Sequence, residues 1–360
     1  MATNLHKKVM IMAGGTGGHV FPALAVAGEL RGLNSDVAWL GTRAGIEADL
    51  VPAHGIALHY LTIEGIRGRG LTALLKAPLL LWRSIRQALK VLADYQPNVV
   101  LGMGGFASGP GAVAAWLKGI PVVIHEQNSV AGTTNRLVAV IARLVMQGFP
   151  KVFSQGEWCG NPVRKTIEDL ASPDLRFAKR HGPARLLVLG GSRGTVAINQ
   201  LVPNALALID PALRPEVMHQ TGKADCEATA TRYEASGVKA EVVPFIDDMA
   251  AAYSWADFAI CRAGALTVAE LTCAGLGAVL IPFPHAIDDH QTVNGKLLVE
   301  QGCALMMQQK ETTAEGLACH ITALCDSASQ RLDMAMRARE LAKTGAARRV
   351  ADVCLEVARV

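Results

Sequence analysis

The sequence predicts an α/β protein made of two Rossmann-type domains in tandem. Three observations carry that prediction. Short apolar runs alternate with amphipathic stretches, as in domains built on parallel sheets. The runs fall into two sets separated by a polar connection. Glycine-rich turns follow several of the runs directly. At 360 residues the chain exceeds what one core ordinarily serves, about 250–300 residues. Hydrophobic residues make up 51% and charged residues 18%, which excludes disorder and supplies ample core material.

The first set of strands is KKVMIM (7–12), DVAWLG (36–41), NVVLGM (98–103) and PVVIHE (121–126), each bounded by glycine or proline. The second set is ARLLVLGG (184–191), EVMHQTG (216–222), AEVVPF (240–245), DFAICR (257–262) and AVLIPF (278–283). Between them lies a polar, strand-poor connection ending in Cys159-Gly160-Asn161-Pro162-Val163-Arg164. The domain boundary is placed there, giving domains 1–163 and 164–344. Low-complexity segments and sequence repeats are absent.

The uncharged stretch Tyr95–Leu117 contains five glycines and two prolines, which rules out a lipid-spanning helix there. The N-terminus lacks the apolar region and cleavage site of a secretory signal. Eight cysteines form neither a CxxC pair nor zinc-like spacing with histidine. Cys261, Cys273, Cys303 and Cys319 sit in apolar contexts as small core residues, and a reducing, cytoplasmic compartment is expected.

Three glycine-rich turns stand at carboxyl ends of predicted strands, where ligands bind in open parallel sheets. They are Ala13-Gly14-Gly15-Thr16-Gly17-Gly18-His19, Met103-Gly104-Gly105-Phe106-Ala107-Ser108-Gly109-Pro110, and Gly190-Gly191-Ser192-Arg193-Gly194-Thr195. Glycines let backbone N–H groups approach an anion, and a following helix N-terminus adds partial positive charge. Any one of them alone reads equally well as an ordinary tight turn; three at equivalent positions favour phosphate or sugar binding. No G-x-x-x-x-G-K-[ST] occurs, which excludes a P-loop NTPase. Val20 stands where G-x-G-x-x-G requires its third glycine, and Leu40-Gly41-Thr42 offers no acid for an adenosine ribose, which argues against NAD.

Candidate chemistry falls on residues at those strand ends. His19, at the start of a helix whose dipole disfavours imidazolium, suits a general base; the alternative is a turn cap or phosphate ligand. His125-Glu126-Gln127-Asn128 follow a strand at its functional end and read as contacts to a polyhydroxylated ligand rather than as core, with turn residues alone as the alternative. Arg164 stands where a hinge arginine reaches a diphosphate, with a surface arginine as the alternative. Glu270, about one and a half turns into its helix, suits a vicinal diol, or else simply complements the macrodipole. Asp288-Asp289-His290-Gln291 read as a sugar-binding turn, since adjacent carboxylates diverge and the candidate ligand histidines are scattered, so no metal is assigned. Asp247 and Asp248 read as a helix N-cap.

Charge is uneven. Residues 1–163 carry 14 Lys/Arg against 8 Asp/Glu, and residues 164–360 carry 21 against 23. Residues 65–118 hold seven basic residues and one acid, which accounts for the whole excess of the first half. From Pro78, PLLLWRSIRQALKVL places Leu81, Ile85, Leu89 and Leu92 on one helical face and Arg83, Arg86 and Lys90 on another. Leu74, Leu75, Leu79, Leu80 and Trp82 are more apolar surface than one core face needs. Beside basic residues, this is the pattern of a surface lying on an anionic membrane; a partly buried helix with solvated arginines is the alternative. Nucleic acid fits poorly, because basic–aromatic interleaving is missing.

MAGGTGGHVFPALAVA, LGMGGFASGPG, VVIHEQN, GNPVR, LGGSRG and FIDDMAAAY…CRAGALTVAE closely resemble the MurG family of peptidoglycan N-acetylglucosaminyltransferases, over residues 10 to about 295. The resemblance implies the GT-B glycosyltransferase fold, two Rossmann-like domains facing a central cleft, with a C-terminal helix (345–360) returning to the first domain. It implies inverting transfer of GlcNAc from UDP-GlcNAc to the C4 hydroxyl of undecaprenyl-diphosphate-MurNAc-pentapeptide (lipid I), giving lipid II, with no cofactor and no required metal. By motif, Thr16, Gly17, Gly18 and Asn128 line the substrate site, Arg164 and Ser192 contact diphosphate or sugar, and the Ile246 backbone reads uracil. Ala265, Leu266, Thr267, Val268, Ala269 and Glu270 hold the uridine, and Gln291 contacts GlcNAc. His19 is the base, with Glu126 as the alternative. Leu75, Lys76, Leu79, Leu80, Trp82, Arg83, Arg86 and Trp116 resemble the family's membrane-docking patch, with Lys118 adjoining, which implies a peripheral enzyme on the cytoplasmic face of the inner membrane, among cell-wall synthesis and division proteins. Two departures stand out: Arg193 replaces the family's glutamine, and the turn Pro284–Gln291 is one residue longer. A UDP-sugar epimerase on the same fold and a non-catalytic UDP-sugar-binding scaffold are the rival readings.

Overall fold

The computed structural model describes residues 6–63, 71–190, 195–284 and 289–358, and for 71–76 the backbone only. The chain forms two compact units, one of residues 1–164 with 345–360, the other of residues 165–344.

The first unit carries a seven-stranded sheet. Its strands are β1 (Lys8–Met12), β2 (Asp36–Gly41), β3 (Ala57–Tyr60), β4 (Val99–Gly102), β5 (Val122–Glu126), β6 (Leu144–Gln147) and β7 (Glu157–Trp158), in the order β3-β2-β1-β4-β5-β6-β7. The second unit carries β8 (Arg185–Leu189), β9 (Glu216–Gln220), β10 (Glu241–Val243), β11 (Phe258–Cys261), β12 (Gly277–Leu280) and β13 (Ala304–Met306), in the order β10-β9-β8-β11-β12-β13. All pairings are parallel. In each sheet the order reverses between the first strand and the fourth, so the switch points lie at β1/β4 and β8/β11.

Parallel strands must be covered on both faces, and the period of two shows how the first unit does it. Val9, Ile11 and Trp39 face one core with α1 (Gly17–Gly32) and the C-terminal helix Ala346–Val357. Met10, Met12, Ala38 and Leu40 face another, with α3 (Leu71–Tyr95) and α4 (Ser108–Leu117). The C-terminal helix is tied at its rim as well: Arg349 donates to both carboxylate oxygens of Glu157 at 2.6 and 3.0 Å.

Several expectations are corrected. The connection before residue 164 contains β6 and β7; β6 ends in Gln147, a buried amide whose Oε1 accepts the Phe153 N–H at 2.8 Å, and a polar residue at the end of so short a run hides the strand. The helix placed from Pro78 starts seven residues earlier, at Leu71, with Pro78 inside it. Its buried seam runs through Ser84, Ala88 and Leu92, while Leu81 is 44% exposed. Small residues on that seam let α3 and α4 approach closely, and α4 (SGPGAVAAWL) is small in turn. All eight cysteines are free thiols, and Cys319 is exposed, on the outward side of its helix. Asp248 does cap the helix Met249–Trp255, accepting from Ala251 N–H at 2.9 Å.

Candidate active site

At the first switch point the turns after β1 and β4 are pressed together, backbone against backbone. Met12 pairs with Gly102, and Met103 N–H donates to Met12 O at 2.8 Å, so the two turns leave the sheet side by side. A Cβ at Gly105 would overlap the backbone of Gly14, and one at Gly104 would lie 2.8 Å from the His19 ring. Both glycines have positive φ, +96° and +88° for Gly104 and Gly105, so space and backbone conformation alike demand glycine. The buried Ser108 hydroxyl lies 2.7 Å from Met12 O and 2.8 Å from Gly104 O, stapling the turns.

His19 stands at the third position of α1, half-buried, with its ring against Gly104. Thr16 and Gly18 are exposed, and the Thr16 side chain at the N-cap makes no capping hydrogen bond. The first N–H groups of a helix have no intrahelical acceptor, so Gly17 and Gly18 suit an anionic or hydroxyl oxygen. Arg164, the first residue of the expected second domain, falls in the first unit, where its guanidinium lies 5.8 Å from the Phe21 ring on α1. His19 and Arg164 are thereby attached to the same helix.

The HEQN segment is not the open contact surface that its polarity suggests. His125, Glu126 and Gln127 are buried. His125 Nε2–H donates to Gly160 O at 2.9 Å, and burial pushes its pKa down to about 4, so the ring is neutral. Glu126 accepts the Asn128 N–H (2.9 Å) and amide (3.2 Å) on Oε1, and the Gly132 N–H (3.0 Å) and Asn135 amide (2.8 Å) on Oε2. A carboxylate so committed anchors the turn after β5. Asn128 is half-buried and held by that anchor.

In the second unit the residues expected at the uridine lie at the β11 edge of the other switch point. Gly264 caps the helix Ala265–Ala274, and Glu270 is buried within it. The Tyr253 hydroxyl donates to Glu270 Oε2 at 3.0 Å, which orients the carboxylate. Ile246 N–H donates to Gln220 Oε1 at 3.1 Å. Gln291 uses its Oε1 to accept Phe283 N–H at 2.9 Å. Ser192, Arg193 and Asp288 lie outside the described residues, as do the side chains of Leu75 and Lys76.

The candidate docking face is open where it is described. Leu79 (66%), Trp82 (55%) and Trp116 (56%) are exposed together with Arg83, Arg86 and Lys118, on α3 and the packed α4. Leu80 is half-buried, and the Arg86 guanidinium stacks over Trp82 at 4.8 Å.

Sequence reasoning missed Glu47, the first residue of α2 (Glu47–Ala53), which is fully buried beneath the first glycine turn. The available signal was glycine at 41 and 45 shortly before an acid.

Comparison with known proteins fits this geometry. The glycosyltransferase family 28 N-terminal domain matches residues 9–147, and the C-terminal domain of that family matches residues 185–354. The chain belongs to glycosyltransferase family 28. A UDP-N-acetylglucosamine--N-acetylmuramyl-(pentapeptide) pyrophosphoryl-undecaprenol N-acetylglucosamine transferase of Nitrosococcus oceani is 53% identical over 98% of this chain and 99% of its own. A crystal structure of Acinetobacter baumannii MurG, 40% identical, superposes with a TM-score of 0.83 over 97% of this chain and 99% of that one. Each unit is thus a Rossmann-like half of the family's GT-B fold. A Neisseria meningitidis UDP-GlcNAc 2-epimerase also superposes, at 14% identity and a TM-score of 0.66 over 97% of this chain and all of that one. That likeness shows the fold alone, so membership of family 28 rests on the full-length identity to transferases.

Proposed function

We propose that this family 28 chain transfers GlcNAc from UDP-GlcNAc to the C4 hydroxyl of MurNAc in lipid I, with inversion, forming lipid II. The observation that carries the reading is the 53% full-length identity to a transferase of that name. The switch-point geometry supports the mechanism. His19 accepts the hydroxyl proton as the acceptor oxygen bonds to the anomeric carbon and the bond from that carbon to UDP breaks. The electron pair leaves with UDP, whose charge meets glycine-turn N–H groups, a helix N-terminus and Arg164 in place of a metal. Glu270, aligned by Tyr253, holds the uridine ribose.

The exposed Leu79, Trp82 and Trp116 beside Arg83 and Arg86 suit a peripheral contact with an anionic membrane that presents the lipid acceptor. No described helix is long and apolar enough to cross a membrane. Flotation with phosphatidylglycerol vesicles, lost in Trp82→Ala and weakened by salt, is the expected outcome.

Transfer of labelled GlcNAc from UDP-GlcNAc to a short-chain lipid I analogue tests the reaction, with EDTA present and with His19→Ala alongside. Turnover in EDTA, reduced about 10²–10⁴-fold in His19→Ala with UDP-GlcNAc binding retained, is expected. UDP-GlcNAc binding without transfer by the wild type would instead favour a binding module.

A further inference from the structure

We infer that Glu47 is a positioning residue for the transfer reaction, holding the first glycine turn, and through it His19, in the reactive geometry. The inference rests on the proposed role of His19 and assigns to Glu47 no contact with substrate.

Glu47 is fully buried, and its two carboxylate oxygens accept three hydrogen bonds. Oε2 accepts Gly15 N–H at 2.9 Å. Oε1 accepts Thr42 N–H at 3.0 Å and the Thr42 hydroxyl at 2.7 Å. Buried carboxylates are rare unless satisfied in this way, because an uncompensated one costs several kcal/mol, roughly. The surroundings are shaped for the group. A Cβ at Gly14 or Gly45 would overlap the carboxylate, and one at Gly41 would lie 2.8 Å from Glu47 Cγ. None of these three glycines has positive φ, so room for Glu47, not backbone conformation, explains them.

The bond to Gly15 is the one that reaches the chemistry. Gly15 adopts φ +93°, and the next residue, Thr16, accepts both His19 N–H (3.1 Å) and Val20 N–H (3.2 Å) on its carbonyl. The Gly14–Gly15 peptide held by Glu47 is therefore two peptides from the Thr16–Gly17 peptide that starts α1 and aims His19. On its other side the turn is fixed by neutral contacts: Trp39 Nε1–H donates to Ala13 O at 2.8 Å, and Gly105 presses on Gly14. Glu47 brings a charged group to the turn's backbone at the Gly15 N–H. An amide cannot replace it, since a glutamine must turn its NH2 toward one of the three donors.

Four proteins test this: wild type, Glu47→Gln, His19→Ala and the double variant, each measured for kcat in the transfer assay and for UDP-GlcNAc affinity by calorimetry. Glu47→Gln is expected to lower kcat about 30-fold and change donor affinity less than about twofold. The double variant should be no slower than His19→Ala, because the two act through one group. An undiminished kcat in Glu47→Gln, or a Glu47→Gln loss that persists in full without His19, overturns the inference. A fast His19→Ala overturns the base assignment, while the Glu47→Gln loss in the wild-type background is still read independently. Should Glu47→Gln fail to fold, Thr42→Val removes one of the three hydrogen bonds and keeps the charge. It should lower kcat about 3–5-fold, with Thr42→Ser restoring it. Equal kcat in Thr42→Val, Thr42→Ser and wild type also overturns the inference.

Discussion

Each unit follows its first strand with a glycine-rich segment, and the groups described beside the two segments differ. In the first unit a single buried carboxylate, Glu47, accepts from the turn's own backbone. In the second, a hydrogen-bonded relay lies beside Gly190. Tyr233 donates to His219 Nδ1 at 2.9 Å, His219 Nε2–H donates to Asn199 Oδ1 at 3.1 Å, and Asn199 donates to Thr221 O at 3.1 Å. The charge of that network, Asp225, accepts from the far side of Asn199 at 2.8 Å and from Arg232 at 3.3 Å. A point anchor fixes one peptide sharply, which suits a turn proposed to aim a base. A distributed relay tolerates change in any one member, which suits a half proposed to bind the donor.

The largest effect expected from breaking this comparison falls on the first unit. Gly104→Ala puts a methyl against the His19 ring at a φ of +96°. The variant should lose about 100-fold or more in kcat while binding UDP-GlcNAc as the wild type does. Steady-state kinetics beside calorimetry checks the split. The converse change lies in the second unit, where Glu270→Ala should weaken UDP-GlcNAc binding about 10–100-fold. A Glu270→Ala defect confined to kcat would dissolve the proposed division between reacting and binding halves.

The strands that carry these turns were legible because parallel sheets bury both faces, so β1, β4, β5, β8 and β11 read as continuous apolar runs. The edge strands β3 (ALHY) and β7 (EW) were not: they are partly or wholly exposed and lack that signature. The glycine turns were legible as candidate sites, yet which neighbours they touch depends on strand order, which sequence spacing does not encode. HEQN misled for a related reason. Polar residues at a strand's end read as solvent-facing, but Glu126 and His125 are buried and satisfied by chain segments up to 35 residues away. Glu47 was hidden likewise, since its partner Gly15 lies 32 residues upstream.

Each unit also buries one neutral histidine under its functional edge, and pH sharpens the comparison. Burial lowers His125 to about 4 in the first unit and His219 to about 3 in the second. The unfolded chain takes up each proton near pH 6.5 and the native chain does not, so stability is greatest above that pH and falls as pH drops toward the native values. Between pH 6.5 and 5 each histidine should remove about 2 kcal/mol. Urea titrations at the two pH values, read by peptide-resolved hydrogen exchange, separate the units. His219→Gln should flatten the acid loss in the second unit and leave it unchanged in the first.

The smallest expected effect tests whether Glu270 is aimed in the way Glu47 aims the other turn. Tyr253 is fully buried, and its hydroxyl gives Glu270 one hydrogen bond at 3.0 Å. Tyr253→Phe keeps the ring and its packing and removes only that donor. A hydrogen bond to a charged group contributes about 1.5–3 kcal/mol, but the carboxylate keeps its place in the helix, so the loss should fall below that range. UDP-GlcNAc affinity should fall about 3–10-fold, with kcat at saturating donor unchanged. A fall in kcat at unchanged affinity would mean that Tyr253 and Glu270 aim a reacting group instead, and that the second unit, too, carries a point anchor.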